Sequence, residues 1–159
     1  MNYELWTDIS IYQNYKPGGY GPFDIDFAKM KAAGIDGVCM RKQIGYYRDP
    51  EFLRNWQGAG LVGLRRTFYG VPYVAFPMER QWESLTTVKL PTGEIVPFDP
   101  TQADTPPWDD VEVKHSLLKS TAIERILWYH HKMSEWSGMA ARFYTAKYTW
   151  EDYYSDEIG

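Results

Sequence analysis

Trp108-Asp109-Asp110-Val111-Glu112-Val113 is a β-prone run that sets two carboxylates two residues apart. Side chains alternate faces along a strand, so Asp110 and Glu112 point the same way while Val111 and Val113 pack behind them. Two acids side by side oppose each other's ionisation. That keeps one protonated as a general acid while its neighbour stays charged. Glycoside hydrolysis commonly uses such a pair. The same triplet also occurs as solvated carboxylates on a strand edge or loop, so the surrounding elements decide between the two.

Those elements follow a regular rhythm. Leu5 to Ile11 reads as a first strand with Asp8 near its end, followed by a Gly/Pro/Tyr-rich loop from Lys16 to Pro22. Asp24 to Ala33 reads as a helix, with Asp24 as N-cap and Gly34 as its stop. Ile35 to Arg41 is the second strand. Asp49-Pro50 opens a second helix, with proline at its first position and Phe52, Leu53 and Trp56 on one side. It ends near Gly58-Ala59-Gly60, and Leu61 to Phe68 is the third strand. Strand, helix, strand, helix, strand predicts βαβ units and a parallel sheet or barrel.

The next residues break the rhythm. Thr86 to Phe98, with Pro91-Thr92-Gly93-Glu94 at its centre, predicts a hairpin. Asp99 to Pro107 is a loop leading into the carboxylate strand. Ser120 to Trp136 is the strongest helix, with Ile123, Ile126, Leu127, His130 and Met133 as its apolar stripe. Gly138 ends it, Ala140 to Thr145 is another strand, and Tyr148 to Tyr154 a short helix or turn. In barrels of this type functional residues gather at the carboxyl ends of several strands. Asp8, Asp110 and Glu112 converging there would form an anionic pocket, which is costly unless function requires it.

Composition narrows the partners. The 159 residues form one domain, 1–159, long enough for a hydrophobic core. With 17 Lys+Arg against 21 Asp+Glu the net charge is −4, without a basic block, so nucleic acid is not an expected partner. The 13 Tyr and 7 Trp suit either core packing or stacking on sugar rings, and composition does not separate these. Cys39 is the only cysteine, so no internal disulfide forms, and it reads as a small buried hydrophobe. Met1-Asn2-Tyr3-Glu4 lacks the basic start and apolar run of a signal peptide, and no stretch is long enough to cross a membrane. His130-His131 face different sides of a helix without an acid or cysteine cluster at ligand spacing, so no metal is expected. Gly18-Gly19-Tyr20-Gly21 carries no nucleotide fingerprint.

The order of landmarks carries a resemblance. Asp8-Ile9-Ser10-x-x-Gln13 precedes Phe27-Ala28-Lys29-Met30-Lys31-Ala32-Ala33-Gly34-Ile35-Asp36-Gly37-Val38. Then come Arg41-x-x-x-Gly45, Asp49-x-x-Phe52 with Asn55, and Ala59-Gly60-Leu61-Val62-Gly63. Pro107-Trp108-x-Asp110-Val111-Glu112 and Arg142-Phe143-Tyr144-Thr145 complete the series. Through almost its whole length the chain resembles the glycoside hydrolase family 25 lysozymes, the muramidases of phage endolysins and bacterial autolysins.

The resemblance implies an α/β fold, an irregular (β/α) TIM-like barrel. It also implies hydrolysis of the β-1,4 bond between N-acetylmuramic acid and N-acetylglucosamine in peptidoglycan glycan strands, without metal or nucleotide cofactor. Glu112 would be the general acid. Asp110 would orient the substrate acetamido group or act as a second carboxylate on the attacking side, and Asp8 would lie in the site floor. Tyr144 would line the sugar groove. Arg41 is a further candidate substrate contact, and so is Trp150, the exception among late aromatics (Trp136, Tyr148, Tyr153) that read as core or rim packing. Made in the cytoplasm without a signal peptide, the protein would reach the wall by phage-mediated release.

Two departures from the family pattern stand out. Where the family usually has Tyr-His-Phe, this chain has Leu64-Arg65-Arg66-Thr67-Phe68-Tyr69. Arg65 thus falls where an aromatic sugar contact is expected and would add positive charge beside the acids, or Tyr69 takes over that aromatic role. The chain also stops at Gly159, whereas such a barrel usually needs at least about 200 residues. It is therefore expected to be C-terminally truncated or incomplete: a fragment, a barrel completed by a partner chain, or a trimmed and repacked fold. A non-catalytic wall-glycan-binding or structural phage component is the second reading.

Overall fold

The computed structural model describes residues 3–14 and 24–154. The loop expected over Lys16 to Pro22 lies outside the described residues. In chain order the strands are β1 (Trp6–Ile9), β2 (Gly37–Ile44), β3 (Tyr47–Arg48), β4 (Arg65–Val71), β5 (Thr87–Lys89), β6 (Ile95–Pro97), β7 (Trp108–Asp110) and β8 (Arg142–Tyr144). The helices are α1 (Phe27–Ala32), α2 (Phe52–Leu61), α3 (Met78–Thr86), α4 (Lys119–Ser137) and α5 (Lys147–Tyr153). β1, β2, β4, β7 and β8 lie side by side in that order, all parallel, with β3 folded back antiparallel on β2. This curled half-barrel is an incomplete (β/α) barrel. β5 and β6 form the expected hairpin as a separate sheet.

Alternation gives the sheet two unlike faces. Ile9, Val38, Met40 and Phe68 project to one side and pack with Phe27, Phe52, Trp56, Ala59, Met78, Leu85, Tyr129 and Met133 in the main core. Trp6, Asp8, Cys39, Tyr69, Trp108, Asp110 and Tyr144 share the other side, where they line a pocket. Gly37 makes room there: a Cβ on it would lie 2.6 Å from the Trp6 indole, its register partner on β1.

Several boundaries move for local reasons. The first strand ends at Ile9 because Gln13 Oε1 accepts from Ser10 N at 2.7 Å and turns Ile11–Asn14 into a 3-10 helix. Asp26, not Asp24, caps α1, accepting from Lys29 N at 2.8 Å, while Asp24 pairs with Arg54 at 3.0 Å. α2 begins at Phe52, so Pro50 precedes its first turn. The third strand runs over Arg65–Val71 rather than Leu61–Phe68, because α2 continues to Leu61.

α4 buries Ala122, Ile126, Tyr129, Met133 and Ser137, whereas Leu127, expected in its apolar stripe, is 46% exposed. Gly138, at φ 68°, takes the left-handed conformation that ends the helix. β2 carries a bulge between Arg41 and Gln43. Arg41 aligns with Tyr69 on the pocket face, while Gln43 aligns with Gly70 on the helix face. Lys42, the extra residue, buries its amine against the Phe52 and Phe98 rings and donates to Thr87 O at 2.6 Å.

Candidate active site

A pocket of about 350 Å³ opens on the non-helical face of the half-barrel, lined by Trp6, Thr7, Asp8, Cys39, Tyr69, Trp108, Asp110, Glu112 and Tyr144. Strand register arranges these residues in rows. Asp8 lies beside Cys39, Tyr69 beside Trp108, and Asp110 beside Tyr144. β7 ends at Asp110, yet Val111 N still donates to Tyr144 O at 2.8 Å. The chain therefore stays extended, Val111 is buried behind the strand, and Glu112 reaches the pocket rim two residues on.

The acids differ in setting. Asp8 and Glu112 are exposed, while Asp110 is half-buried and its Oδ1 has no hydrogen-bond partner among the described residues. Burial pushes the Asp110 carboxyl up to about 7, with the charges of Glu112 and Asp8 adding and that of Arg41 opposing. Asp110 thus holds its proton up to about neutrality, well above an ordinary carboxyl. Burial also raises the Cys39 thiol and the Tyr69 phenol far enough to keep both neutral at physiological pH.

The remaining residues expected at the site lie elsewhere. Arg41 is buried on the pocket face beside Tyr69 without lining the pocket, its Nη2 3.0 Å from Asp49 Oδ2 and its guanidinium 5.1 Å from the Tyr12 ring centre. It acts on the site through its charge. Arg65 sits at the amino end of β4, paired with Glu4 and stacked 5.2 Å from the Trp6 ring centre, so its charge does not stand beside the acids. Tyr69, two turns of the alternation further along β4, fills the pocket wall instead. Trp150 stacks on Tyr154 at 5.6 Å and edge-on to Phe143, packing a small second core rather than lining the pocket.

Sequence reasoning passed over Trp6, Thr7, Cys39 and Trp108 as pocket residues. The signal was present: Trp6 and Trp108 each stand two residues before an acid, hence on the same strand face. It also passed over a buried pair behind the sheet, where His130 Nδ1 lies 2.5 Å from Asp109 Oδ2. That pair joins residues 21 positions apart on a strand and a helix, and no local pattern announces it.

No curated protein sequence matches this chain. Solved structures do. A family 25 glycosyl hydrolase from Bacillus anthracis superposes with a TM-score of 0.73 at 19% identity, covering 99% of this chain and 67% of that one. A family GH25 lysozyme from Aspergillus fumigatus gives 0.73 at 20% identity, over 96% of this chain and 69% of that one. A muramidase from Trichobolus zukalii gives 0.69 at 22% identity, over 90% and 65%. The chain thus spans about two thirds of the length of these structures, and the likeness establishes the fold. With the sequence profile of the family matching residues 7–158, the chain belongs to the glycosyl hydrolases family 25.

Proposed function

We propose that this chain is a peptidoglycan hydrolase, an N-acetylmuramidase of lysozyme type that cleaves the β-1,4 bond between N-acetylmuramic acid and N-acetylglucosamine. One observation carries the proposal. Three carboxyl groups, Asp8, Asp110 and Glu112, meet in one pocket walled by Trp6, Tyr69, Trp108 and Tyr144, with Asp110 pushed to about 7. Carboxyl groups supply the proton transfer of glycoside cleavage, and aromatic faces suit the apolar faces of sugar rings.

In this reading Glu112, at the open rim, protonates the leaving oxygen. Asp110 holds its own proton below about pH 7 and has an unpartnered oxygen, which suits it to donate to the substrate's acetamido carbonyl. Asp8 adds negative charge on the pocket floor, which favours an oxocarbenium-like transition state. Tyr69 and Tyr144 contact the sugar. Delivery to the wall by phage-mediated release, and completion of the barrel by a further segment or partner chain, belong to the same proposal.

The alternative of a non-catalytic glycan-binding component drew on the shortened barrel and on an arginine beside the acids. Arg65 is engaged with Glu4 and Trp6 instead, which removes the second of these supports. The test is product identity. Purified peptidoglycan treated with the protein should release soluble fragments with reducing N-acetylmuramic acid ends, read by mass spectrometry after borohydride reduction. Fragments with only N-acetylglucosamine at the reducing end would overturn the assignment.

A further inference from the structure

Tyr12 is 71% exposed, yet its ring is held in place. The buried Arg41 guanidinium lies over one face, 5.1 Å from the ring centre. Arg41 is itself locked, with Nε and Nη2 3.1 and 3.0 Å from Asp49 Oδ2. That same oxygen accepts from Ile11 N at 2.9 Å, which anchors the backbone one residue before Tyr12. Tyr12 belongs to the 3-10 turn of Ile11–Asn14, and its N donates to Ser10 Oγ at 3.4 Å. Tyr3, Tyr47 and Tyr148 are as exposed, but their rings stack on no aromatic or cationic group among the described residues. Tyr12 therefore offers solvent a flat face that is already ordered, and a fixed ring loses little freedom when something binds to it.

Its place is the carboxyl end of the parallel strands, where sites of this architecture gather. Asp8, in the pocket, lies four positions before it on β1. Arg41 is the register partner of Tyr69 in the pocket wall, and its charge acts on both Tyr69 and Asp110. Tyr12 thus extends the site on the β1–β2 side, while Glu112 and Tyr144 bound it on the β7–β8 side.

The pocket itself, at about 350 Å³, is at the small end of ligand sites. A wall glycan is a linear polymer of many rings. Rings beyond those at the reacting bond must lie on the surface outside the pocket, and an ordered aromatic face there suits the apolar face of a sugar.

We propose that Tyr12 is a glycan subsite: a fixed aromatic platform, backed by Arg41, that takes a sugar ring of the strand outside the catalytic pocket on the β1–β2 side. The inference deepens the muramidase reading and rests on it for the identity of the polymer. Tyr12 touches no reacting atom. It adds affinity for strands long enough to reach it and none for short ones.

The test measures binding of the alternating N-acetylglucosamine–N-acetylmuramic acid glycan, as a disaccharide and as an octasaccharide. NMR titration reads both in the Glu112→Gln background, with Tyr12 and with Tyr12→Ala. Tyr12→Ala should weaken the octasaccharide about three- to tenfold, the scale of one aromatic stacking contact, and leave the disaccharide unchanged. Tyr12→Phe, which keeps the ring, should bind both as Tyr12 does.

Equal octasaccharide affinity with and without Tyr12 would overturn the proposal. So would an equal loss for both lengths, which would mean that Tyr12 acts on the pocket through Arg41. A Tyr12→Phe variant as weak as Tyr12→Ala, or no octasaccharide binding with Tyr12 in place, would overturn it too. Should Tyr12→Ala not fold, Tyr12→Leu, which keeps apolar bulk over Arg41 without a flat face, takes its place under the same criteria. Binding needs no turnover, so a wild type that cleaves no glycan removes the muramidase reading and leaves the length dependence to decide the role of Tyr12.

Discussion

Arg41 Nη2 lies 3.0 Å from Asp49 Oδ2, and the Asp49 side chain is 1% exposed. The same carboxylate accepts from Ile11 N at 2.9 Å and Glu51 N at 3.0 Å. One aspartate thus ties together β2, the turn after β1 and the start of α2. Asp49→Asn would leave Arg41 buried without its counter-charge. Removing one partner of a buried pair costs about 3–5 kcal/mol, and urea denaturation should show a loss in that range with an unchanged m-value.

Glu112 is the second largest cause, after burial, of the raised Asp110 pKa. Glu112→Gln keeps the side chain's shape and removes its charge. Asp110 should then titrate at lower pH than in the wild type, measured by carbon-13 NMR of the carboxyl carbon. An unchanged midpoint would mean that the two groups do not face each other across the pocket.

Asp110 also ties function to stability. Its carboxyl lies near 3.8 when unperturbed and at about 7 in the fold, so the folded state binds the proton more tightly than the unfolded one. Stability is then fully present below about pH 4 and declines as pH rises towards 7. Asp110→Asn does not titrate. It should melt higher than the wild type at pH 8, with the advantage shrinking to nothing near pH 3, as read by thermal denaturation across that range.

Gly70 faces the Tyr129 hydroxyl, and a Cβ there would lie 2.8 Å from Gln43 Oε1 and 3.1 Å from Leu85 Cδ1. Gly70→Ala would push apart the Tyr129–Gln43 hydrogen bond that seats α4 on β2. Overpacking of this kind costs about 1–3 kcal/mol. A melting temperature at or above that of the wild type would show that α4 shifts without resistance.

Asp8, Asp110 and Glu112 were legible in sequence because strand alternation is a local property, and Tyr69 and Tyr144 because the order of landmarks along the chain resembles the family's. α3 was not. Met78, Trp82 and Leu85 do stand at helical spacing on it, but Gln81 and Ser84 are buried on the same helix, Gln81 bonding to Tyr73 N and Tyr73 O, and these polar residues dilute the apolar stripe. The α4 stripe was misread at Leu127 because several apolar residues compete there, and tertiary packing chose Tyr129 and Ala122. Arg65 was misplaced because a motif position says nothing of which end of a strand faces the site. Its pairing with Glu4, 61 residues away, is a property of the fold.

The central claim is that the Asp110–Glu112 pair cleaves the wall glycan. It is tested most directly by the initial rate of reducing-end release from purified peptidoglycan between pH 4 and 8, for wild type and Glu112→Gln side by side. The account predicts release by the wild type and a rate lowered about 10²–10⁴-fold by the substitution, as expected for loss of a general acid. No release by the wild type anywhere in that range, or release by Glu112→Gln at the wild-type rate, would contradict it.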